Sequence, residues 1–385
     1  MRRRSLGGRF FFGLALAVLA TRILPSAPAL TEAASADGKH LLQQVIEGAR
    51  KEGQLNLRIY ASVGEKGASE LVSAFKRRFS LDIRLNADLS GQESQKFNQA
   101  VAESKSGISP TFDIMQGEAS NILSLMDAGG AEPIKGWEEL LAEVAPEAYK
   151  VKEKISPQIL AGYGFLWSTR TLALLYNPKL ISEADLPKTW KQMGDPKYKG
   201  AFTMPPWISA LLMAILKYDR EEWLEIVRAL GRNKRDILTM DAAAQRMMLG
   251  EIKFLHAYAG DYFEQKSRDP NAPIGEAFFE DSTTMGHVMY VMRKGTKNPN
   301  AAKLFALWAT GAEANDIFEK YASVENLVLR QGPVTRKVVS ALEKKNIQPV
   351  SWFDSPQTVE KFRWLSTNEV KQYANLIAKA QREGK

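Results

Sequence analysis

The first half of the chain alternates between two hydrophobic periods. Residues 55–60 and 81–85 place apolar side chains at every second position, as a half-buried strand does, and 112–115 is a short apolar strand. Between the first two, Leu71, Val72, Phe75 and Phe79 recur at helical spacing. A β-α-β-α-β order of this kind predicts a parallel sheet covered by helices, and therefore an α/β fold.

A second set of elements begins near residue 161. Residues 162–167 and 172–176 are typical of two extended segments, and 252–255 and 287–292 of later strands. Asp37 is expected to cap a first helix that stops at Gly53, and a helix is predicted to begin near Ser209 with that serine as its cap. The tail from residue 333 to 385 is predicted to be helical, with a Pro/Ser break near 351–356.

The first 29 residues have the layout of a secretory signal peptide. Arg2, Arg3, Arg4 and Arg9 precede the apolar run 10–20, and Ala27-Pro28-Ala29 offers a cleavage site, with a second possible site after Ala36. Ten or so apolar residues are too few to span a bilayer, which takes about 20. We therefore predict an exported protein. The arginine pair only partly matches a twin-arginine signal, so the export route stays open.

Composition narrows the compartment and the chemistry. The 385 residues carry a net charge of +8, but five arginines lie in the predicted leader, so cleavage leaves +3. The chain has no cysteine, which excludes disulfides, thiolate metal sites and a lipid-modified N-terminal cysteine. A soluble, unlipidated periplasmic protein is predicted. The basic runs 76–78 and 232–235 are interpreted as solvated faces or a docking surface for a membrane partner, and nucleic-acid binding is not predicted.

Several fragments in a fixed order resemble one known family. They are 112–115, 128–134, 175–179 with 188–200, 250–252 and 297–305. The chain resembles the extracellular solute-binding proteins of ABC importers, in the iron-binding-like branch of the type 2 periplasmic binding fold. The resemblance implies two α/β lobes joined by hinge strands, with a helical C-terminal tail. It also implies a small-molecule ligand in the cleft, an inner-membrane ABC permease as partner, a monomer, no cofactor and no catalysis.

The resemblance assigns approximate ranges to these parts. Lobe 1 is expected over 37–134 plus about 286–332, and lobe 2 over about 165–285. Residues 135–164 are expected to form a crossover and hinge region, and 333–385 the C-terminal helices. Ligands of open α/β sheets bind where strands end and loops converge. The candidate ligand residues therefore lie in five such loops: Ser62, Gly64, Glu65, Glu118, Trp207, Ser209, Tyr258, Asp261, Tyr262 and Thr284.

Each candidate also has a structural interpretation. Glu118 is either a cleft acid for a cation or an acid that satisfies a helix N-terminus, and Asp261 either pairs with an ammonium group or makes a local turn bond. Trp207 either stacks on the ligand or packs between lobes. Glu118 and Asp261 together favour a small polar organic solute with an amine.

Ferric iron is the alternative ligand within the same family. Relatives that bind iron typically use adjacent tyrosines, whereas this chain has Tyr258 and Tyr262 four positions apart. If iron binds, Glu118, Tyr258 and Tyr262 are the expected ligands, since carboxylate and phenolate oxygens suit Fe³⁺. A secreted enzyme or a sensor accessory on the same fold is the alternative of another class. The loops show no nucleophile–base pair that would support an enzyme.

Overall fold

The computed structural model describes residues 27–384, and for residues 27–36 it describes the backbone alone. Residues 1–26 of the predicted leader lie outside this range, so its processing stays a prediction. Nine strands in the described range join in the order β2-β1-β3-β9-β4-β7-β5-β6, with β8 paired to β4. They are β1 Gln54–Arg58, β2 Arg84–Asp88, β3 Ile114–Glu118, β4 Gly164–Tyr176, β5 Phe202–Met204, β6 Asp236–Ile237, β7 Phe254–Tyr258, β8 Gly275–Ala277 and β9 Met285–Met292.

The first three strands confirm the parallel sheet that the alternating pattern predicts. β1 pairs in parallel with both β2 and β3, and its apolar Leu55 and Leu57 are fully buried. β9 then returns antiparallel beside β3. In the second group of strands, β5 lies parallel to both β6 and β7. We refer to the sheet around β1, β2, β3 and β9 as lobe 1, and to the sheet around β5, β6 and β7 as lobe 2.

Strand β4 belongs to both lobes. Residues 164–171 of β4 pair with β9, and residues 172–176 pair with β7 and β8. The sequence pattern predicts two extended segments here, and the structure makes them one strand of 13 residues, every one of them buried. The polar stretch between the two apolar runs therefore does not mark a loop. It marks the point at which one strand passes from lobe 1 to lobe 2.

A second connection between the lobes runs beside β4. Glu325 forms an isolated antiparallel bridge with Thr169, and the Thr169 N–H donates to the Glu325 carbonyl over 2.8 Å. The Ser168 and Thr169 hydroxyls also donate to this carbonyl. The segment after residue 322 is thus tied to the middle of β4, where a hinge between the lobes would have to bend.

Helices cover both faces of the sheet. They are α1 Ala27–Glu52, α2 Gly64–Phe79, α3 Glu93–Lys105, α4 Ala119–Asp127, α5 Trp137–Val144, α6 Pro146–Tyr149, α7 Lys152–Ile155, α8 Trp190–Met193, α9 Ile208–Leu212, α10 Arg220–Asn233, α11 Met240–Met248, α12 Ala259–Arg268, α13 Pro299–Trp308, α14 Ala312–Ala322, α15 Pro333–Lys344, α16 Pro356–Trp364 and α17 Asn368–Glu383. Helix α1 ends just before Gly53, as expected, but it begins ten residues before Asp37, so Asp37 does not cap it.

The stretch 135–164 differs from its expected role as a crossover. Most of it is helical, and α5 packs against α1 and α13 of lobe 1 because Leu140, Leu141 and Val144 recur on one buried face. The crossing itself is made by β4. At the other end of the chain, the predicted helical tail is confirmed as α15, α16 and α17, and α17 packs against α10 of lobe 2.

Candidate functional site

Arg170 lies in β4 at the point where the strand changes lobes. Arg170 pairs with Gly286 of β9, and residues 172–176 of β4 pair with β7. The side chain is 7% exposed. Its guanidinium carbon lies 3.9 Å from the centroid of the Tyr258 ring and 5.7 Å from that of Tyr60. A guanidinium over an aromatic face is held by the charge distribution of the ring, and more strongly where water is excluded.

The two tyrosines come from different lobes. Tyr60 follows β1 of lobe 1, and its backbone N–H donates to Gln116 Oε1 over 2.9 Å. Tyr258 ends β7 of lobe 2. Burial raises the pKa of Tyr60 to about 12 and that of Tyr258 well above its ordinary value, so both phenols are neutral at physiological pH. Arg170 therefore lies between two tyrosine rings, one from each lobe.

Acidic groups surround Arg170 without forming hydrogen bonds to it. Asp261 Oδ1 is 3.8 Å from Arg170 Nη2, and Glu325 faces it from the second crossing. Burial lowers the pKa of Arg170, but Tyr60, Asp261, Tyr258 and Glu325 more than offset this and raise it overall. Its Nε is buried, and within residues 27–384 nothing accepts a hydrogen bond from it. The guanidinium is thus a permanent cation with donors to spare.

Glu118 lies across the cleft, at the end of β3 and directly before α4. Its side chain is half-buried and makes no capping bond to the helix. Burial, and then the nearby Glu93 carboxylate, raises the pKa of Glu118 to about 8, and Arg170 lowers it only in part. Arg170 and Glu118 are therefore neighbours of opposite type that no ion pair within the described residues joins.

The structure brings three of the sequence-predicted residues together around Arg170: Glu118, Tyr258 and Asp261. Asp261 accepts the Tyr258 N–H over 3.3 Å at the start of α12, which is the expected local bond, and it also faces Arg170. Its pairing with an ammonium group of a ligand stays a prediction. Burial raises the pKa of Asp261 to about 6, against the opposing effect of Arg170.

The other predicted residues lie elsewhere. Tyr262 is on α12, where its ring packs against Phe263. Burial and then the nearby Glu276 raise the pKa of its phenol, and the groups around Arg170 do not. Thr284 is 2% exposed, and its carbonyl accepts the Leu172 N–H. The remaining candidates lie at the starts of two helices and outside the Arg170 cluster: Ser62 in the short turn before α2, Gly64 and Glu65 in the first turn of α2, and Trp207 and Ser209 at the start of α9.

Ser209 is not a helix cap. Helix α9 begins at Ile208, with Trp207 in the capping position, and no side chain makes a capping bond. Trp207 is the last extended residue, with φ −87° and ψ 112°, so the helix starts one residue before the serine. Trp207 itself is 40% exposed.

Sequence reasoning missed Arg170, Tyr60, Glu325 and Glu93. Arg170 carried the one usable signal, since it is a lone charge inside a run of 13 residues that is otherwise apolar or hydroxylic. A charged residue is almost never fully buried without a reason. Neither a metal cluster of three His, Cys, Asp or Glu side chains nor a helix long and apolar enough to cross a membrane occurs in the part of the chain that the structure describes.

Two α/β lobes that share a strand, with charged and aromatic groups from both lobes converging on it, define a binding protein of the type 2 periplasmic class. The family model for the bacterial extracellular solute-binding proteins matches residues 70–324, well over half of the chain. The chain belongs to this family, whose members are non-enzymatic solute-binding components of ABC transporters.

Similar proteins carry different cargo. The chain is 22% identical over 330 residues to the major ferric iron-binding protein of Neisseria gonorrhoeae, covering 78% of this chain and 87% of that one. Iron-bound HitA from Pseudomonas aeruginosa superimposes with a TM-score of 0.64 at 18% identity, covering 82% of this chain and 99% of HitA. AfuA from Actinobacillus pleuropneumoniae, with fructose-6-phosphate bound, gives 0.63 at 16% identity, covering 84% and 97%. At these identities the structures establish the fold and not the ligand.

Proposed function

We propose that this protein is the periplasmic receptor of an ABC importer for a small organic solute that carries an anionic group. The anion, a carboxylate or a phosphate-type group, binds the guanidinium of Arg170 in the cleft between the lobes. The observation that carries this proposal is a buried, permanently charged arginine whose Nε makes no hydrogen bond within the described residues. Arginine matches carboxylate and phosphate oxygens two at a time.

The position of Arg170 also supports capture by closure. Its guanidinium contacts Tyr60 of lobe 1 and Tyr258 of lobe 2, so a solute bound to it touches both lobes only when they are together. A ligand that gains contacts in the closed state shifts the protein toward that state. The closed receptor then presents its cargo to the inner-membrane permease. We propose that it does so as a monomer, after export through the leader and without a lipid anchor.

Ferric iron is the second candidate, because the phenols of Tyr60 and Tyr258 and the carboxyl of Glu118 lie near enough to influence one another's charge. Tyr262, an expected ligand, lies outside this cluster. A trivalent cation beside the Arg170 guanidinium would also meet like charge in a poorly solvated site. We therefore favour the organic anion. Ferric citrate should produce no tyrosinate–iron absorption band in the purified protein, and appearance of such a band would reverse this preference.

The ligand can be identified without guessing its structure. Protein prepared freshly from the periplasm is analysed by native mass spectrometry, and any retained solute is released and identified. Affinity is then measured by calorimetry for the native sequence, for Arg170→Gln and for the exposed control Arg363→Gln. Losing one charge-assisted contact of about 1.5–3 kcal/mol corresponds to roughly ten- to hundredfold weaker binding. A retained solute with no anionic group, or equal affinity in a folded Arg170→Gln protein, would contradict the proposal.

A further inference from the structure

Glu118 is held closely by its neighbours, although its side chain does not cap the helix that follows it. Its backbone N–H donates to Glu93 Oε1 over 2.8 Å, and the same oxygen accepts from Asn121 Nδ2 over 2.5 Å. On the opposite side, a Cβ at Gly286 would lie 3.2 Å from Glu118 Oε2. Glycine at this position lets the carboxyl approach the hinge strand β9 closely. The fold thus fixes the Glu118 carboxyl at the lobe 1 wall of the cleft.

The Glu118 carboxyl is not compensated by the residues around it. Two of the groups that face it are the neutral phenols of Tyr60 and Tyr258. A third is the Glu93 carboxyl on α3, next to Arg58; burial raises the pKa of Glu93 as well, and a negative charge on either carboxyl disfavours a second one on the other. The fourth, Arg170 on β4, makes no ion pair with Glu118 within 4 Å. His287, the neighbour of Gly286 on β9, packs against Phe353 and is held neutral by burial, which lowers its pKa to about 4.

We propose that Glu118 binds a cationic amine on the same solute whose anionic group binds Arg170, and that it releases one proton to solvent when it does so. This inference rests on the proposed function, because the two charges of one molecule would be matched to Arg170 and to Glu118. The amine binds as an ammonium ion, and the carboxylic acid of Glu118 becomes a carboxylate. The receptor is therefore specific for zwitterionic solutes such as amino acids, and it discriminates against plain anions.

The proton balance follows from the site. In the free protein the neighbouring Glu118 and Glu93 carboxyls keep a proton at neutral pH, because burial raises both of their pKa values and like charge disfavours a second carboxylate. An ammonium ion in contact favours the carboxylate and lowers this pKa. Between the two pKa values, binding releases a proton, so affinity rises with pH by about tenfold per pH unit. Above the pKa that Glu118 has in the free protein, its carboxyl is already ionised, and the affinity no longer rises with pH.

The test uses two matched series of probes on the whole mature protein. One series is the ω-amino acids of increasing length, and the other is the unsubstituted carboxylates of the same lengths. Calorimetry in buffers of different ionisation enthalpy counts protons released on binding. At pH 7 the best amino acid should bind at least tenfold more tightly than its carboxylate and should release close to one proton. Glu118→Gln should abolish both the preference and the release, whereas the exposed control Glu132→Gln should change neither.

Glu93→Gln separates the electrostatic role from a structural one. Its amide oxygen can still accept the Glu118 and Asn121 donors, but its negative charge is gone, so the Glu118 pKa should fall and fewer protons should be released at pH 7. Equal binding of amino acids and carboxylates would overturn the Glu118 inference and leave the Arg170 anion site standing. Failure of both series would overturn the Glu118 inference as stated for amino acids, and amino-acid binding that survives Arg170→Gln would overturn the proposed anion site and the inference with it.

Discussion

Gly260 offers a direct test of how tightly the two crossings fit together. It is the second residue of α12 in lobe 2, and the segment that follows α14 passes directly over it. A Cβ added to Gly260 would lie 2.0 Å from the Ser323 carbonyl oxygen and 3.2 Å from the Ser323 carbonyl carbon. Such contacts are normally about 3.4 Å or longer, so the backbone would have to separate by more than an ångström.

The Ser323 backbone has little freedom to move. Ser323 ends α14 in the left-handed conformation, with φ 48°, and two residues later Glu325 is tied to β4 through backbone and hydroxyl bonds. Overpacking of a close contact costs about 1–3 kcal/mol, and moving backbone places Gly260→Ala at the upper end of that range. We expect the substitution to lower the free energy of unfolding by that amount and to weaken ligand binding, because the crossings set the distance between the lobes.

Urea denaturation followed by tryptophan fluorescence measures this loss. Gly164→Ala is the matched control in β4, because its Cβ would meet the flexible end of Met289 at 3.3 Å and Leu160 Cβ at an ordinary contact distance of 3.5 Å. A cost below about 1 kcal/mol is expected there. If Gly260→Ala and Gly164→Ala unfold at the same urea concentration, then the second crossing is loosely packed and the hinge described above is incorrect.

Two further predictions concern buried charge. Arg293, 1% exposed, donates to Glu103 and to the Ala100 and Gly130 carbonyls, so Arg293→Met should cost about 3–5 kcal/mol in urea titrations, against no measurable change for the exposed Arg363→Met. Burial lowers the pKa of His256 to about 3 and of His287 to about 4, and only the unfolded chain takes up these protons below pH 6.5. Each histidine should therefore lower the free energy of unfolding by about 1.4 kcal/mol for every pH unit below 6.5, and His256→Leu should remove its share; a stability difference between the native sequence and His256→Leu that does not change with pH would contradict this.

The sequence pattern predicted those parts of the fold that depend on local periodicity. The strand with buried Leu55 and Leu57 and the helical tail follow from alternation and spacing alone. The sequence pattern predicts two extended segments where the structure has the single strand β4, because the polar centre of the strand, residues 168–171, has the composition of a loop. Its side chains are nevertheless buried, since the second crossing and both lobes close over them. No local pattern can report a contact with residues 150 positions later.

The candidate site divides along the same line. Glu118, Tyr258 and Asp261 were predictable because they follow strands, and strand ends converge at one edge of a sheet. Arg170 and Glu325 could not be found by that rule, since they lie within the connections between lobes. The structure shows that these connections carry buried charge. The rule that ligands bind at strand ends therefore finds the residues that each lobe contributes and misses those on the strands that connect the lobes.

The buried acids around Arg170 destabilise the folded protein unless their charge is compensated. Burial is the largest cause in raising the pKa of Asp261 to about 6, of Glu325 to about 7 and of Glu118 to about 8. An acid whose pKa is raised by folding stabilises the folded state only while it stays protonated, so above pH 3.8 for Asp261 and above pH 4.5 for the two glutamates these groups progressively oppose the state in which they are buried. Arg170 offsets part of this repulsion. A zwitterion that places its anion on Arg170 and its cation near Glu118 would satisfy both, so the closed state becomes favourable when, and because, the solute is bound.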